Sequence, residues 1–432
     1  MQDIKSITEY ALAELKKAGA DKADCQVIKG RKDEFNAEAG KFSLLRTVYT
    51  DNLVLKAIIG NKKGVATVNK LDKLSIDEAI ASCIELTQSA IPDEAEDIAP
   101  LIENKTFGEE KSSDMEKLFS RTKEFLGQVE SEFPKIAFES LITEFNSGEH
   151  VYANSNGVYF SSKQSAYHTN TIFSAKDGDN STSFNYSSLV LDNLDTPFMD
   201  IGLTRQLFDE SVKSLNPKAL EGKFIGKVIV TPACADLIWG TLLNCFLNDF
   251  VMIQGTSRWK DALNTMVADS KLTMRLSPLN PNIVTGERFT RDGFASQDVD
   301  IIKDGILKSF FLSLYGANKT GKPRTGTLAY ENIEVLAGDT PLEDIIKGVD
   351  KGILLNRFSG AEPTVSGDIS GVAKNSFLIE NGKITDAIQE TMISFNILDA
   401  LKNIVAISKE QCSHGYSILP WCCFDGITIS GK

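Results

Sequence analysis

Three histidines, His150, His168 and His414, and seven cysteines make up the soft-ligand and nucleophile inventory of this 432-residue chain. One place gathers them: Cys412-Ser413-His414, followed by Cys422-Cys423. On an extended strand Cys412 and His414 face the same side, so a thiol and an imidazole can meet there. Two chemistries use such a pair, zinc ligation and thiol nucleophilic catalysis. Both are under-provided. Paired C-x-x-C spacing is missing, adjacent cysteines do not easily hold one ion, and no third group is visible to orient the imidazole or lower the thiol pKa. The glycines offer no phosphate loop: Gly360, Gly367 and Gly371 are too widely spaced, and Gly316…Gly321…Gly326 lacks the G-K-[ST] ending. In the latter run, ANKTGKPRTGT, Lys322 and Arg324 present cations either to a peptide carboxylate or simply to water. Trp239, Trp259 and Trp421 read most simply as core or interface aromatics.

Composition bounds the rest. Apolar residues make up 42% of the chain and charged residues 24%, ordinary values for a globular protein with room for two domains. The net charge of −13 repels phosphates and disfavours nucleic-acid binding. The first residues, MQDIKSITEYALAELKK, form an amphipathic helix with no apolar signal-peptide core, and no run approaches 18 apolar residues. With an odd number of cysteines and no disulfide framework, the expected compartment is the reducing cytoplasm, with no membrane association.

The elements that must position these groups follow from periodicity. Helices are expected at Ser6–Ala18, at Ser75–Ser89 (Ser75 as N-cap, Glu78 completing a capping box), at Met115–Val129 and at Ile201–Leu215. Between the first two lies a meander of short strands, Gln26–Gly30, Asp33–Ala39, Phe42–Thr50, Leu53–Ile59 and Gly64–Thr67. A linker-like loop is expected near 91–113. Polar strands follow at Ile136–Phe145 and within Val151–Val190, turning at Asn156-Gly157 and Asp177-Gly178. A sheet of that kind has one wet face, which is either simply solvated or binds a peptide edge-on. The fold class is α+β, with a mixed N-terminal domain over 1–215 and a strand-rich C-terminal domain over 222–432.

The second half opens with strand Lys227–Val230. Thr231-Pro232 suits the N-cap and first position of a helix whose apolar stripe is Ala235, Ile238, Leu242, Phe246, Leu247 and Phe250. Ile306–Leu314 reads as a strand, and Thr340-Pro341-Leu342-Glu343 as a helix start. Asn381-Gly382 predicts a type I′ hairpin that pairs Glu380 with Lys383 and Ile379 with Ile384. A helix bearing Ile397, Leu401, Ile404 and Val405 on one face follows, then a last strand near Gly426–Ser430.

The run GDIS…G…SFLIENGKI…ETMI…NILDALKNIVAI, with the ending ISGK, resembles the C-terminal block of the TldD/PmbA family. The family contains metalloproteases and proteins labelled modulators of DNA gyrase. In its TldD branch the strand–helix junction carries H-E-x-x-x-H, two zinc ligands and a general base, with a further cysteine ligand near the C-terminus. Residues five apart lie about 140° apart on a straight helix, so such a site needs local distortion. Gly255-Thr256-Ser257 is similar to the G-T-S that follows the family motif, and counting back sets Gly240, Thr241 and Cys245 at the motif positions. None does the motif's chemistry: glycine has no side chain, threonine is no base, and one thiol is no site. Cys412 matches the family cysteine by its spacing to Pro420, and Thr290-Arg291-Asp292-Gly293 stands where the family has an acidic D-E-G run.

The resemblance therefore implies the PmbA/TldE branch, a non-catalytic subunit with no catalytic or metal residues of its own. Zinc is expected only in a TldD-type partner, and extended or unfolded peptide is the substrate of the pair. Homodimerisation is expected in isolation. Lys322, Arg324, Cys412 and His414 are the peptide-binding candidates. Three alternatives stay open: a metallopeptidase acting on its own, a regulatory binder directed at gyrase or an antitoxin, and a thiol enzyme using Cys412.

Overall fold

Alternating burial along three antiparallel strands builds the first layer of the protein. The computed structural model describes residues 3–109, 111–361 and 363–432. Helix α1 (Ile4–Lys17) buries Ile4, Ile7, Ala11 and Leu15, one stripe of a 3.6-residue period. Strands β1 (Lys22–Glu38), β2 (Lys41–Ile59) and β3 (Lys62–Val68) follow as a meander. The five short strands expected here are three long ones. The charged stretches taken as breaks stay in register, with Arg31 opposite Tyr49 and Lys29 opposite Asp51. The chain turns at Ala39-Gly40, where both residues have positive φ.

Helix α2 (Lys73–Ser89) is capped by Asp72, whose carboxylate accepts the Ser75 N–H at 3.0 Å. Asp72 is thus the N-cap in place of Ser75. The two side chains cap equally well, but the carboxylate also meets the positive end of the helix dipole. Residues 91–113 do not behave as a solvated linker. Ala95, Ile98 and Ala99 are buried, Glu96 pairs with Lys63, and β4 (Lys105–Phe107) joins the sheet. Glu110 lies outside the described residues. Helix α3 (Met115–Glu132) leads into β5 (Ile136–Asn154), β6 (Tyr159–Asp177), the short β7 (Asn180–Ser181) and β8 (Asn185–Leu191). The sheet order is β3-β2-β1-β5-β6-β4, with β7 and β8 also on β6. Its odd-numbered face near Phe35, Phe145 and Tyr167 packs with α3 residues. The opposite face carries polar rows in register, such as Glu34, Glu144 and His168.

Helix α4 (Thr204–Lys213) precedes β9 (Lys218–Ala219) and β10 (Lys223–Val230), the first strands of a 14-stranded second sheet. The hub of that sheet is the C-terminal strand Ile418–Ser430. It hydrogen-bonds to β10, Ile333–Val335, Thr391–Asn396 and Ile404–Ser413. Asn381 and Gly382 have φ of 49° and 73°, and their hairpin pairs Glu380 with Lys383 and Ile379 with Ile384, the expected register. Three readings of this half are corrected. The helix after the hairpin is short, Ile397–Lys402, and Ile404 begins a strand. Ile306–Leu314 holds only the strand Ile306–Leu307 before a helix starts at Leu314. Phe250 is exposed instead of completing the apolar stripe. In each case a strand or helix end is set by neighbours far away in sequence.

The two sheets share a core. Phe125, Phe138, Phe173 and Phe208 from the first half cluster with Ile229, Phe377, Trp421 and Cys423 from the second. Beside it, the buried Glu210 of α4 accepts hydrogen bonds from Gln206 Nε2 and Asn356 Nδ2, both at 2.8 Å. Asn356 also donates to Asn375 O at 3.1 Å. Burial pushes the Glu210 carboxyl up to about 7. A raised carboxyl pKa means that folding favours the protonated form. Its contribution is complete below the unfolded pKa and is lost as pH rises through about 7. Going from pH 5 to pH 8 is expected to cost about 3 kcal/mol of stability through this one group. Glu210→Gln keeps a neutral side chain at every pH, so urea midpoints of wild type and variant should lie close together at pH 5 and separate at pH 8, with the variant the more stable there.

Candidate functional site

The strand–helix junction after β10 begins with a 3-10 turn, Pro232–Cys234, with Pro232 at its first position. Thr231 does not cap it; its buried hydroxyl makes no hydrogen bond among the described residues. Helix α5 (Asp236–Leu242) then runs directly into a π segment, Leu243–Leu247, and Asn248 caps the next short helix by accepting the Val251 N–H. A π turn closes hydrogen bonds five residues apart and so brings i and i+5 towards one face. The distortion that an H-E-x-x-x-H site requires is therefore present at this junction.

The residues standing there do not fit a zinc ion. A Cβ at Gly240 would lie 2.5 Å from Asp236 Oδ1. Thr241 Oγ1 donates to Leu237 O at 2.6 Å, and Cys245 Sγ lies 3.4 Å from Pro363 O. Cys412 belongs to a different apolar cluster from Cys245. Among the described residues no three His, Cys, Asp or Glu side chains are grouped as a metal would need.

Cys412 and His414 do come together, with Sγ 3.6 Å from Nε2, although the strand ends at Ser413 and His414 is the first residue beyond it. Burial pushes the Cys412 thiol up to about 12 and the His414 imidazole down to about 4. Near neutral pH both are uncharged, so the pair lacks the thiolate a nucleophile requires. Arg324 is committed elsewhere. Its guanidinium bridges Asp292 Oδ1 at 2.8 Å and Thr290 Oγ1 at 2.6 Å and stacks 3.9 Å from the Phe294 ring centre. Burial works to raise the Asp292 carboxyl, but Arg324 and Thr290 hold it below its usual range. Lys322 lies over the Phe310 ring at 5.1 Å. Neither cation lines the clefts described next.

Two clefts lie between the polar face of the first sheet and the second half. The smaller, about 330 Å³, is lined by His150, Gln164 and His168 opposite Glu287, Arg288 and Phe289. The larger, about 560 Å³, runs from His168 and β8 to Asp236 and Trp239 of α5 and on to His414 and Tyr416. His168 and Thr285 line both, so the two form a continuous groove, and every histidine of the chain faces it. Among the described residues, strand β8 pairs only with β6. Its Val190 N–H points away from β6, to His414 O at 2.9 Å. By strand parity Ser188 also turns its N–H and C=O outward, and neither has a backbone partner among the described residues. Of the residues singled out in the sequence, the groove gathers the histidines and Trp239. Asp236, Glu331 and the β8 edge give no sequence signal beyond being polar, because chain segments about a hundred residues apart create the cleft.

No helix among the described residues is long and apolar enough to cross a membrane. Residues 222–431 match the model of the PmbA/TldA metallopeptidase C-terminal domain. The chain is 23% identical over 366 residues to the metalloprotease PmbA of Escherichia coli O157:H7, covering 81% of this chain and 79% of that protein. It is 22% identical over 426 residues to a metalloprotease PmbA homolog of Haemophilus influenzae, covering 95% and 92%. The fold matches that of TldE from Thermococcus kodakarensis, with a TM-score of 0.82, 18% identity and coverage of 98% and 100%. It also matches a Bacteroides thetaiotaomicron protein that bears the name of a DNA gyrase modulator, with a TM-score of 0.85, 21% identity and full coverage of both.

Two outcomes follow from the geometry. Arg324→Ala leaves Asp292 buried without its cation and is expected to lower stability by about 3 kcal/mol in chemical denaturation. Its peptide affinity, measured well below the melting temperature, should stay within twofold of wild type. Cys412 in the folded protein should react with iodoacetamide at pH 8 at least a hundredfold more slowly than in urea, read by mass spectrometry.

Proposed function

From the match of residues 222–431 to the PmbA/TldA metallopeptidase C-terminal domain and the likeness to PmbA proteins, we propose that the chain is the PmbA/TldE-type, non-catalytic subunit of a two-chain zinc peptidase acting on unfolded peptides. The observation that carries this reading is the π-distorted helix at the junction, built in the shape of the family's motif but furnished with Gly240, Thr241 and Cys245. The catalytic zinc, its general base and its bound water belong in this reading to a TldD-type partner. What this chain contributes is substrate binding. An extended segment adds to the open edge of β8, where Ser188 supplies one free N–H and one free C=O. His150, His168 and His414 border the groove as neutral imidazoles, and burial is the first cause of the lowered pKa in each.

The outer half of β2 supports pairing with another chain, whether that partner or a second copy. From Lys41 to Thr50 it pairs, among the described residues, with β1 alone, and Leu45 and Tyr49 are 66% and 73% exposed. An open strand with exposed apolar side chains is costly to leave in water. All seven cysteines are buried and none is joined in a disulfide among the described residues, which supports a reducing, cytoplasmic compartment.

Co-expression with a TldD-type chain tests the reading. The two should co-purify, the complex should carry zinc and hydrolyse an unfolded peptide, and this chain alone should do neither. Chelator-sensitive peptidase activity of the isolated chain, with about one zinc bound, would overturn it. Leu45→Glu with Tyr49→Glu is expected to weaken association at least tenfold by analytical ultracentrifugation, with no change in melting temperature beyond a few degrees.

A further inference from the structure

The larger cleft has a chemical character that its place in a peptidase subunit does not by itself require. Asp236, on the first turn of α5, and Glu331 both face solvent at its rim. No cation or hydrogen-bond donor reaches the Asp236 carboxylate among the described residues, and Glu331 accepts only from the neighbouring Tyr330 hydroxyl, at 3.0 Å. Partial desolvation against the cleft wall, followed by the field of Glu331, raises the Asp236 carboxyl. The rings of Tyr186, Tyr330 and Tyr416 line the same space. The nearby cation, Arg357, is already placed on the Phe184 and Tyr186 rings and donates to Phe184 O.

A second feature points independently to an occupant. Trp239 lines the cleft and is 1% exposed, yet its indole N–H has no acceptor among the described residues. A buried N–H without a partner costs about 1–3 kcal/mol, so its presence beside a cleft calls for an acceptor from outside. A peptide carbonyl supplies one. Uncompensated carboxylates beside tyrosine rings, in turn, suit an ammonium or guanidinium, which gains both ion pairing and contact with the ring faces.

On the reading given above, that the groove holds extended peptide, we infer that this cleft selects peptides carrying a lysine or arginine side chain. The basic group sits between Asp236 and Glu331 against the tyrosine rings, while the peptide backbone reaches Trp239 Nε1 and the Ser188 edge. Because the recognition is divided in this way, a free amine makes only half of the contacts.

The test is equilibrium binding of the full-length chain to blocked, fluorescent pentapeptides Ala-Ala-X-Ala-Ala. With X as Lys or Arg, the dissociation constant should be at least tenfold lower than with norleucine or Glu. Asp236→Asn with Glu331→Gln should bring the basic and norleucine peptides within twofold of each other; both side chains face solvent, and an unchanged melting temperature checks the fold. Butylamine and spermidine should compete at least tenfold more weakly than the lysine peptide. Equal affinity for basic and norleucine peptides, or a preference surviving both substitutions, would overturn the inference, and free amines competing as well as the peptide would overturn its peptide occupant. The subunit reading fails separately. A complex that hydrolyses neutral unfolded peptide while this chain shows no basic preference sinks only the inference. An inactive complex alongside a clear preference sinks only the subunit assignment.

Discussion

The aromatic cluster shared by the two sheets is the constraint on which the rest of the molecule depends. Phe125, Phe138, Phe173 and Phe208 reach Phe377, Trp421 and Cys423 across the middle of the protein. Burying side chains of this size stabilises by roughly 2–3 kcal/mol each, so the cluster holds the halves at one separation. That separation is what opens a groove between the β8 edge and helix α5. Glu210, beside the cluster and raised to about 7, attaches α4 to the second sheet through Asn356 and gives this joint a pH dependence.

On one side of the groove the backbone is unfinished. A β-strand with no neighbour presents donors and acceptors to whatever extended chain arrives, and β8 keeps Ser188 in that state while Val190 is closed off by His414 O. On the other side the helix keeps a costly distortion. A π segment strains hydrogen-bond geometry and persists where surrounding packing holds it. Here Leu243, Phe246 and Leu247 are fully buried in the second half's core, which holds the distortion in place.

The loop with Arg324 shows how a charged residue that invites a binding role can have a structural one. Asp292 is the partner that claims it, and Thr290 and Phe294 complete the site. The same holds for Cys412 and His414. Their spacing at a strand end brought them within contact, yet the apolar surroundings that make the contact also keep both groups neutral.

The sequence by itself determined the features that depend on nearest neighbours. The Asn381-Gly382 hairpin and its register, the α1 stripe and the turn at Asn156-Gly157 all follow from residue types within a few positions of each other. The turn expected at Asp177-Gly178 falls one residue later, at Gly178-Asp179, because Asp177 still pairs with Asn180. Tertiary structure decided what depends on partners distant along the chain. It merged five strands into three, drew residues 91–107 onto the first sheet, ended the helix at Lys402, claimed Arg324 for Asp292, and set Asp236 and Glu331 about one cleft. The physical reason is that a turn or a helical stripe is fixed by local dihedral preferences, whereas a side chain's partner and its burial are fixed only when sheets about two hundred residues apart in sequence close on a common core.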